Sequence, residues 1–191
     1  LVAPTYSTSK MLGTNPIAVA IPTGNQPTFI ADFATTPIAR GKLAIMGKKG
    51  EKAPLGLVQD AQGNPTDDPD TLLRGGAILP LGGDPVHASH KGYCMTSLVD
   101  IFSAVFGGAN FGPFVPPQVA YLPLLEKSVG EGLGHFFGAM RVDAFRPVEE
   151  FKTSMDQWIE TFRSAQSAEG QPKVIIPGDP ERQKEEKHRR E

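Results

Sequence analysis

The sequence predicts a mixed α/β (or α+β) layer structure, and three patterns predict it. Short apolar runs closed by proline and glycine turns recur in the first third of the chain. A long apolar stretch runs from Tyr93 to Phe106. An amphipathic pattern at helical spacing follows Pro147. The 21 glycines and 18 prolines are spread rather than clustered, so they read as turns between many short elements.

Taken in order, residues 17–21 form an apolar run closed by Pro22-Thr23-Gly24, a strand and its turn. Residues 28–34 form a second, with Asp32 embedded in it. Pro37 opens a helix to about Met46, stopped by Gly47 and the basic turn Lys48-Lys49-Gly50. Residues 55–59 are a candidate strand, residues 60–65 a turn and residues 66–69 a loop. A helix over 93–106 has apolar residues around most of its circumference, which predicts a central, buried position. Gly107-Gly108 ends it. Residues 111–117 read as irregular and residues 134–142 as a strand. After Pro147, Val148, Phe151, Met155, Trp158, Ile159 and Phe162 recur at three- and four-residue steps, the clearest amphipathic helix. Residues 174–176 read as a short strand, and Pro177-Gly178-Asp179-Pro180 turns into a last, charged helix.

Composition narrows the classes. With 191 residues the chain can bury a sizeable core. The net charge of -2 gives no electrostatic case for nucleic acid. No apolar run approaches the roughly 20 residues of a spanning helix, so no membrane partner is expected. Cys94 is the single cysteine, which excludes an internal disulfide and predicts a reducing, cytoplasmic setting. Its place in the apolar run predicts a buried small hydrophobe. The chain begins with Leu1 and ends inside a charged helical pattern at Glu191, from which a piece of a longer protein is expected.

The densest chemistry lies between Gly83 and Tyr93, where His87, Ser89, His90, Lys91 and Gly92 precede the apolar run. A helix start offers free N–H groups and partial positive charge, a natural seat for an anion. A lysine is unfavourable there unless an anion answers it, so Lys91 favours an anionic ligand. His87 and His90, with Asp84, have metal-like spacing but no further ligand close by, and no metal is assigned. Gly130-Glu131-Gly132-Leu133-Gly134 imitates a dinucleotide loop, yet lacks the strand before and the helix after that such a loop needs. It reads as a plain turn. Asp32 inside an apolar run must hydrogen-bond something: the turn at Thr35 and Thr36, or a ribose or amide of a cofactor. Asp100 reads as a structural partner, His135 as a core histidine, and His188 as solvated. Asp179 reads either as a helix cap or as part of a backbone nest beside a cofactor.

Four segments then combine: Gly13-Thr14-Asn15-Pro16, Asp32-Phe33-Ala34-Thr35-Thr36, His90-Lys91-Gly92-Tyr93, and Pro177-Gly178-Asp179-Pro180-Glu181. In this order they make the chain resemble the type 2 malate/L-lactate dehydrogenase family over nearly its whole length. The stretch 134–158 most resembles members acting on malate. The resemblance implies a non-Rossmann, NAD(P)H-binding mixed sheet flanked by helices, in agreement with the missing fingerprint. It implies a homodimer with the active site near the subunit interface. It places Asp32, Phe33, Ala34, Lys91, Gly178, Asp179 and Pro180 at the cofactor, which is NAD or NADP, and Thr14, Asn15 and His90 near the substrate, a small 2-hydroxy or 2-keto acid.

The resemblance further implies that residues 1–145 make most of the cofactor-binding domain and that 146–191 are a truncated C-terminal helical part. The family's catalytic histidine and its basic carboxylate-binding residues fall upstream of the segment matching Leu1, so no catalytic residue is expected in this chain. The activity implied is hydride transfer between nicotinamide and a 2-hydroxy acid, malate first and lactate second. The alternative is a non-catalytic cofactor- or partner-binding fragment.

Overall fold

The computed structural model describes residues 1–116 and 129–191. It has the mixed helix-and-sheet composition expected, in two compact units: Leu1–Pro16 with Ala34–Phe137, and Ile17–Phe33 with Gly138–Glu191. Pro117, the end of the stretch expected to be irregular, lies outside the described residues.

In the second unit, strands β1 (Ile17–Ile21) and β2 (Phe29–Phe33) form an antiparallel hairpin in the register Ile17↔Phe33 to Ile21↔Phe29. In the first unit, helix α1 (Arg40–Lys49) begins three residues after Pro37, because Thr36 turns its hydroxyl onto the Ile38 carbonyl and Ala39 is still extended. It runs through Gly47, whose bare Cα lets the Asp70 carboxylate approach, and stops at Gly50 in the left-handed conformation. Strands β3 (Val58–Gln59), β4 (Pro65–Thr66) and β5 (Ala77–Ile78) make a small antiparallel sheet, β3 in the centre. Only the end of the expected strand 55–59 joins it. Val2 bridges Leu12 and Ile78, adding the chain start to this layer. Val2, Leu12, Ile38, Leu43, Ala53, Val58 and Ile78 form the core.

Helix α2 (Ser89–Asp100) starts four residues before the expected Tyr93 and continues as a wider π-type turn over Ile101–Val105. Its burial overturns the expectation of a central helix. The buried residues of α2 are Ser89, Gly92 and Thr96, spaced three and four apart. This small-residue stripe presses on the chain at Leu81, where a Cβ on Gly92 would overlap the Leu81 carbonyl. The bulky residues therefore face the other way. Leu98 is 54% exposed and Phe106 73%, with Ile101, Phe102 and Val105 also exposed. Cys94 is exposed too, against the expectation of burial.

Two expected strands are absent. Residues 133–141 carry no ladder: Gly134 is wedged on the Ser103 carbonyl, where no Cβ fits, and no described strand pairs with the segment. His135 is exposed there, not a core histidine. Residues 174–176 form no strand either, because the Ile176 N–H is taken by the Asp179 carboxylate at 3.0 Å. The turn at 130–134, read from the sequence as a plain turn, is anchored by a side chain. Asn110 Oδ1 accepts the N–H groups of Val129 and Gly130 at 3.0 Å each. Asp100 is a structural partner, accepting the Gly112 N–H at 3.2 Å.

In the second unit, helix α3 (Val148–Arg163) follows Pro147 as expected, and helix α4 (Asp179–Arg190) opens after Gly178. Phe29 meets Trp158 edge-on at 5.7 Å, and Ile159 and Ile176 are buried. Asp156 on α3 accepts the backbone N–H groups of Gly24, Asn25 and Gln26 at 2.7–3.1 Å, closing the hairpin turn over the helix. Among the described residues no helix is long and apolar enough to cross a membrane.

Candidate functional site

In the first unit hydrogen bonds join two of the four sequence motifs to each other and to the helix that carries the third. The Thr35 hydroxyl donates to the carbonyls of Thr14 and Asn15 at 3.1 and 3.0 Å, and the Thr35 N–H donates to Thr14 at 2.9 Å. This ties the segment following Ala34 to the Thr14-Asn15 loop. Asn15 Nδ2 then donates to the Thr96 carbonyl of α2 at 3.0 Å. Asn15 holds a left-handed backbone, φ 36°, which costs energy in any residue but glycine and is tolerated best by Asn and Asp. Thr96 is fully buried, and its hydroxyl has no partner among the described residues. The Thr14-Asn15 loop is thus clamped to the helix that carries His90 and Lys91.

The start of α2 is built with care. Asp84 accepts the His87 N–H at 3.0 Å and His87 Nδ1 at 2.6 Å, capping the short 3-10 turn Pro85–His87. The bond from the His87 N–H, helped by the His87 ring and opposed by desolvation, holds the Asp84 carboxyl below its ordinary value. Ala88 then takes φ 62°, redirecting the chain into α2. His87 is therefore committed to Asp84. Among the described residues no three His, Cys, Asp or Glu side chains are grouped as a metal requires. His90 and Lys91 are exposed on the first turn of α2, and Lys91 has no carboxylate partner among the described residues.

The second unit holds Asp32, Phe33 and the 177–180 turn. The internal cap read as one option for Asp32 is not used: Thr35 and Thr36 bond elsewhere, and the exposed Asp32 carboxylate accepts no hydrogen bond from described residues. Gly178 has φ 93°, and a Cβ there would sit 3.2 Å from the Ile30 carbonyl. The turn therefore lies on β2 two residues from Asp32, although the two are far apart in sequence. Asp179 is the first residue of α4 rather than its cap. Its carboxylate accepts Arg182 Nη2 at 2.8 Å, the Ile176 N–H at 3.0 Å and Arg163 Nη2 at 3.3 Å. Burial pushes the Asp179 carboxyl up, but Arg182, the Ile176 N–H and Arg163 together outweigh it and hold the group below its ordinary value. Pro180 fits the first turn of α4, where a missing N–H costs nothing.

Thr96, Arg163 and Arg182 escaped the sequence reading, while Thr35 and Asp84 were read in other roles, Thr35 as a partner for Asp32 and Asp84 beside the His87/His90 pair. Asp84 before a proline is a recognisable cap signal. The others act through partners distant in sequence, and no local pattern marks them.

Each unit by itself carries groups whose chemistry suits a nucleotide cofactor: the first a lysine at a helix start, the second a carboxylate with open acceptor positions and a glycine turn that brings backbone close. Comparison with known proteins places the chain in a family. The family model for malate/L-lactate dehydrogenase matches residues 1–191. The malate dehydrogenase of Pyrococcus horikoshii is 37% identical over 94% of this chain and 48% of its own length. The malate/(S)-sulfolactate dehydrogenase of Methanothermus fervidus is 36% identical over 100% and 50%. The crystal structure of malate dehydrogenase from Entamoeba histolytica superposes with a TM-score of 0.82 at 31% identity, covering 98% of this chain and 52% of that one. The chain spans about half the length of these relatives, and with the match running from its first residue to its last it belongs to the malate/L-lactate dehydrogenase family.

Proposed function

We propose that the chain is part of an NAD(P)-dependent oxidoreductase that interconverts a small 2-hydroxy acid and its 2-keto acid, malate and oxaloacetate first, in a homodimer. The carrying observation is Lys91: an exposed lysine on the first turn of α2, where a cation is disfavoured, with no carboxylate partner among the described residues. An anionic ligand answers both facts. The nicotinamide, when bound, supplies the hydride acceptor or donor for the substrate's C2. The chain's own residues bind and orient. Lys91 holds an anionic or polar part of the cofactor by charge-assisted hydrogen bonds. The Asp32 carboxylate and the backbone of Phe33, Ala34 and Gly178 line the cofactor site, with Asp179 and Pro180 completing the turn. Thr14, Asn15 and His90 lie toward the substrate. No proton-transfer role is assigned to His87, His90, His135 or His188.

Malate is preferred because the relatives described above carry that name; sulfolactate, in the name of the second, shares the 2-hydroxy acid group. A second reading, a chain that binds cofactor without turning over substrate, is favoured by its span of about half the relatives' length. Calorimetric titration with NADH and NADPH, together with malate oxidation followed by nicotinamide absorbance, separates the two when made on the whole enzyme of which the chain is proposed to be part. Binding with turnover supports the dehydrogenase, and binding without turnover supports the second reading. Absence of binding refutes both. Lys91→Ala is expected to weaken binding by about 1.5–3 kcal/mol, the scale of a hydrogen bond to a charged group, and to flatten its salt dependence.

A further inference from the structure

We propose that Arg163 and Arg182 are positioning residues for the cofactor site: through Asp179 they hold the Pro177–Gly178 backbone against β2, leaving that backbone, and not the Asp179 carboxylate, to face the ligand. The inference rests on the dehydrogenase reading and adds to it two residues and a changed role for a third.

Three observations carry it. The Asp179 side chain is only 14% exposed, and its oxygens already accept three donor groups: the Ile176 N–H, Arg182 and Arg163. A carboxylate so engaged has little capacity left for a ribose hydroxyl. Each guanidinium also reaches the β1–β2 hairpin. Arg163 Nη1 donates to Gln26 Oε1 at 2.8 Å, and Arg182 Nη1 donates to the Thr28 carbonyl at 3.0 Å. Asp179 is therefore tied to the hairpin from two helices, α3 and α4. The object so held is a turn with φ 93° at Gly178, close upon the Ile30 carbonyl. Thr28 immediately precedes β2, and Ile30 and Asp32 follow it at two-residue steps, so Arg182, Gly178 and the open Asp32 carboxylate follow one another along this segment. Planar guanidiniums suit this task, since each offers parallel donors in a fixed fork. The clamp would fix where the turn's backbone stands relative to Asp32, and a small error in such a placement is costly to binding.

The test is NADH binding by fluorescence titration and thermal melting, for the unmodified protein and for Asp179→Asn, Arg163→Met, Arg163→Lys and Gln26→Ala. Asp179→Asn and Arg163→Met should weaken NADH about tenfold, the scale of one charge-assisted hydrogen bond, without changing the salt dependence that Lys91 contributes. Arg163→Lys, which keeps the charge but not the fork, should recover only part of the loss. Gln26→Ala removes the outer support of Arg163 from an exposed hairpin turn and should weaken binding about two- to threefold, on the scale of a weaker neutral hydrogen bond. Unchanged affinity in Asp179→Asn and Arg163→Met overturns the proposal, as does a loss that merely follows the melting temperature. Should those two variants fail to fold, unchanged affinity in Gln26→Ala overturns it. If the unmodified protein itself binds no nicotinamide, the dehydrogenase reading fails and this inference with it, an outcome distinct from variants that bind as the parent does.

Discussion

Ala88 shows what a single residue is made to do. Its φ of 62° places an L-residue with a Cβ in the left-handed region at the point where the Asp84-capped turn enters α2. That conformation costs about 1–2 kcal/mol outside glycine. Glycine at this position would remove the strain but lose roughly 0.4–1 kcal/mol to unfolded-state entropy. The strain relieved exceeds the entropy lost, so Ala88→Gly should raise stability slightly in denaturant unfolding; a clear loss would mean that Ala88 is not left-handed. The place of Lys91 at a helix start was legible because the signal is local. Asp179 was legible only in part. The sequence offered a cap or a ligand contact, whereas the structure gives its carboxylate to Arg163 and Arg182 from two helices. Cys94 and His135 misled for one reason, since apolar neighbours in sequence do not say which face of a segment turns inward.

Among the elements, those whose signal lies within a few residues were read well. The β1–β2 hairpin and the helix after Pro147 stand close to where apolar runs, Pro and Gly placed them. The strands expected at 134–142 and 174–176 failed because a strand needs a partner, and sequence does not show one. Helix α2 was found but turned inside out, since its packing face is the stripe Ser89, Gly92 and Thr96 rather than its bulky residues. Gly92→Ala should accordingly destabilise by about 1–3 kcal/mol or more in denaturant unfolding, the range of core overpacking, despite alanine's better helix propensity. Helix α3 is anchored to the hairpin by Asp156. The Asn25 N–H above all, with those of Gln26 and Gly24 and against desolvation, holds its carboxyl below the ordinary value. With the folded pKa depressed, the stabilisation is present above the unfolded carboxylate value of about 4 and is lost as pH falls through the folded one. Asp156→Asn should thus lower the melting temperature at neutral pH, with the gap closing in acid. A gap constant with pH would show that the carboxylate's charge contributes nothing.

For the whole molecule, family membership was legible from four short motifs, and the order of those motifs did more than any one of them. The structure shows how they are joined within each unit: Thr14, Asn15 and Thr35 with α2 in the first, and β2 with the 177–180 turn in the second. Just beyond α2, Phe102 stacks on Phe106 at 5.2 Å and packs on Phe136 at 5.0 Å, an exposed apolar cluster among the described residues. In the reading proposed above, the exposed cation at the start of α2 answers a nicotinamide cofactor. Calorimetric titration of NADH into the protein and into its Lys91→Ala variant tests it most directly. Saturable binding that weakens in Lys91→Ala and falls with added salt is the predicted result. No binding, or binding equal in both proteins, would contradict it.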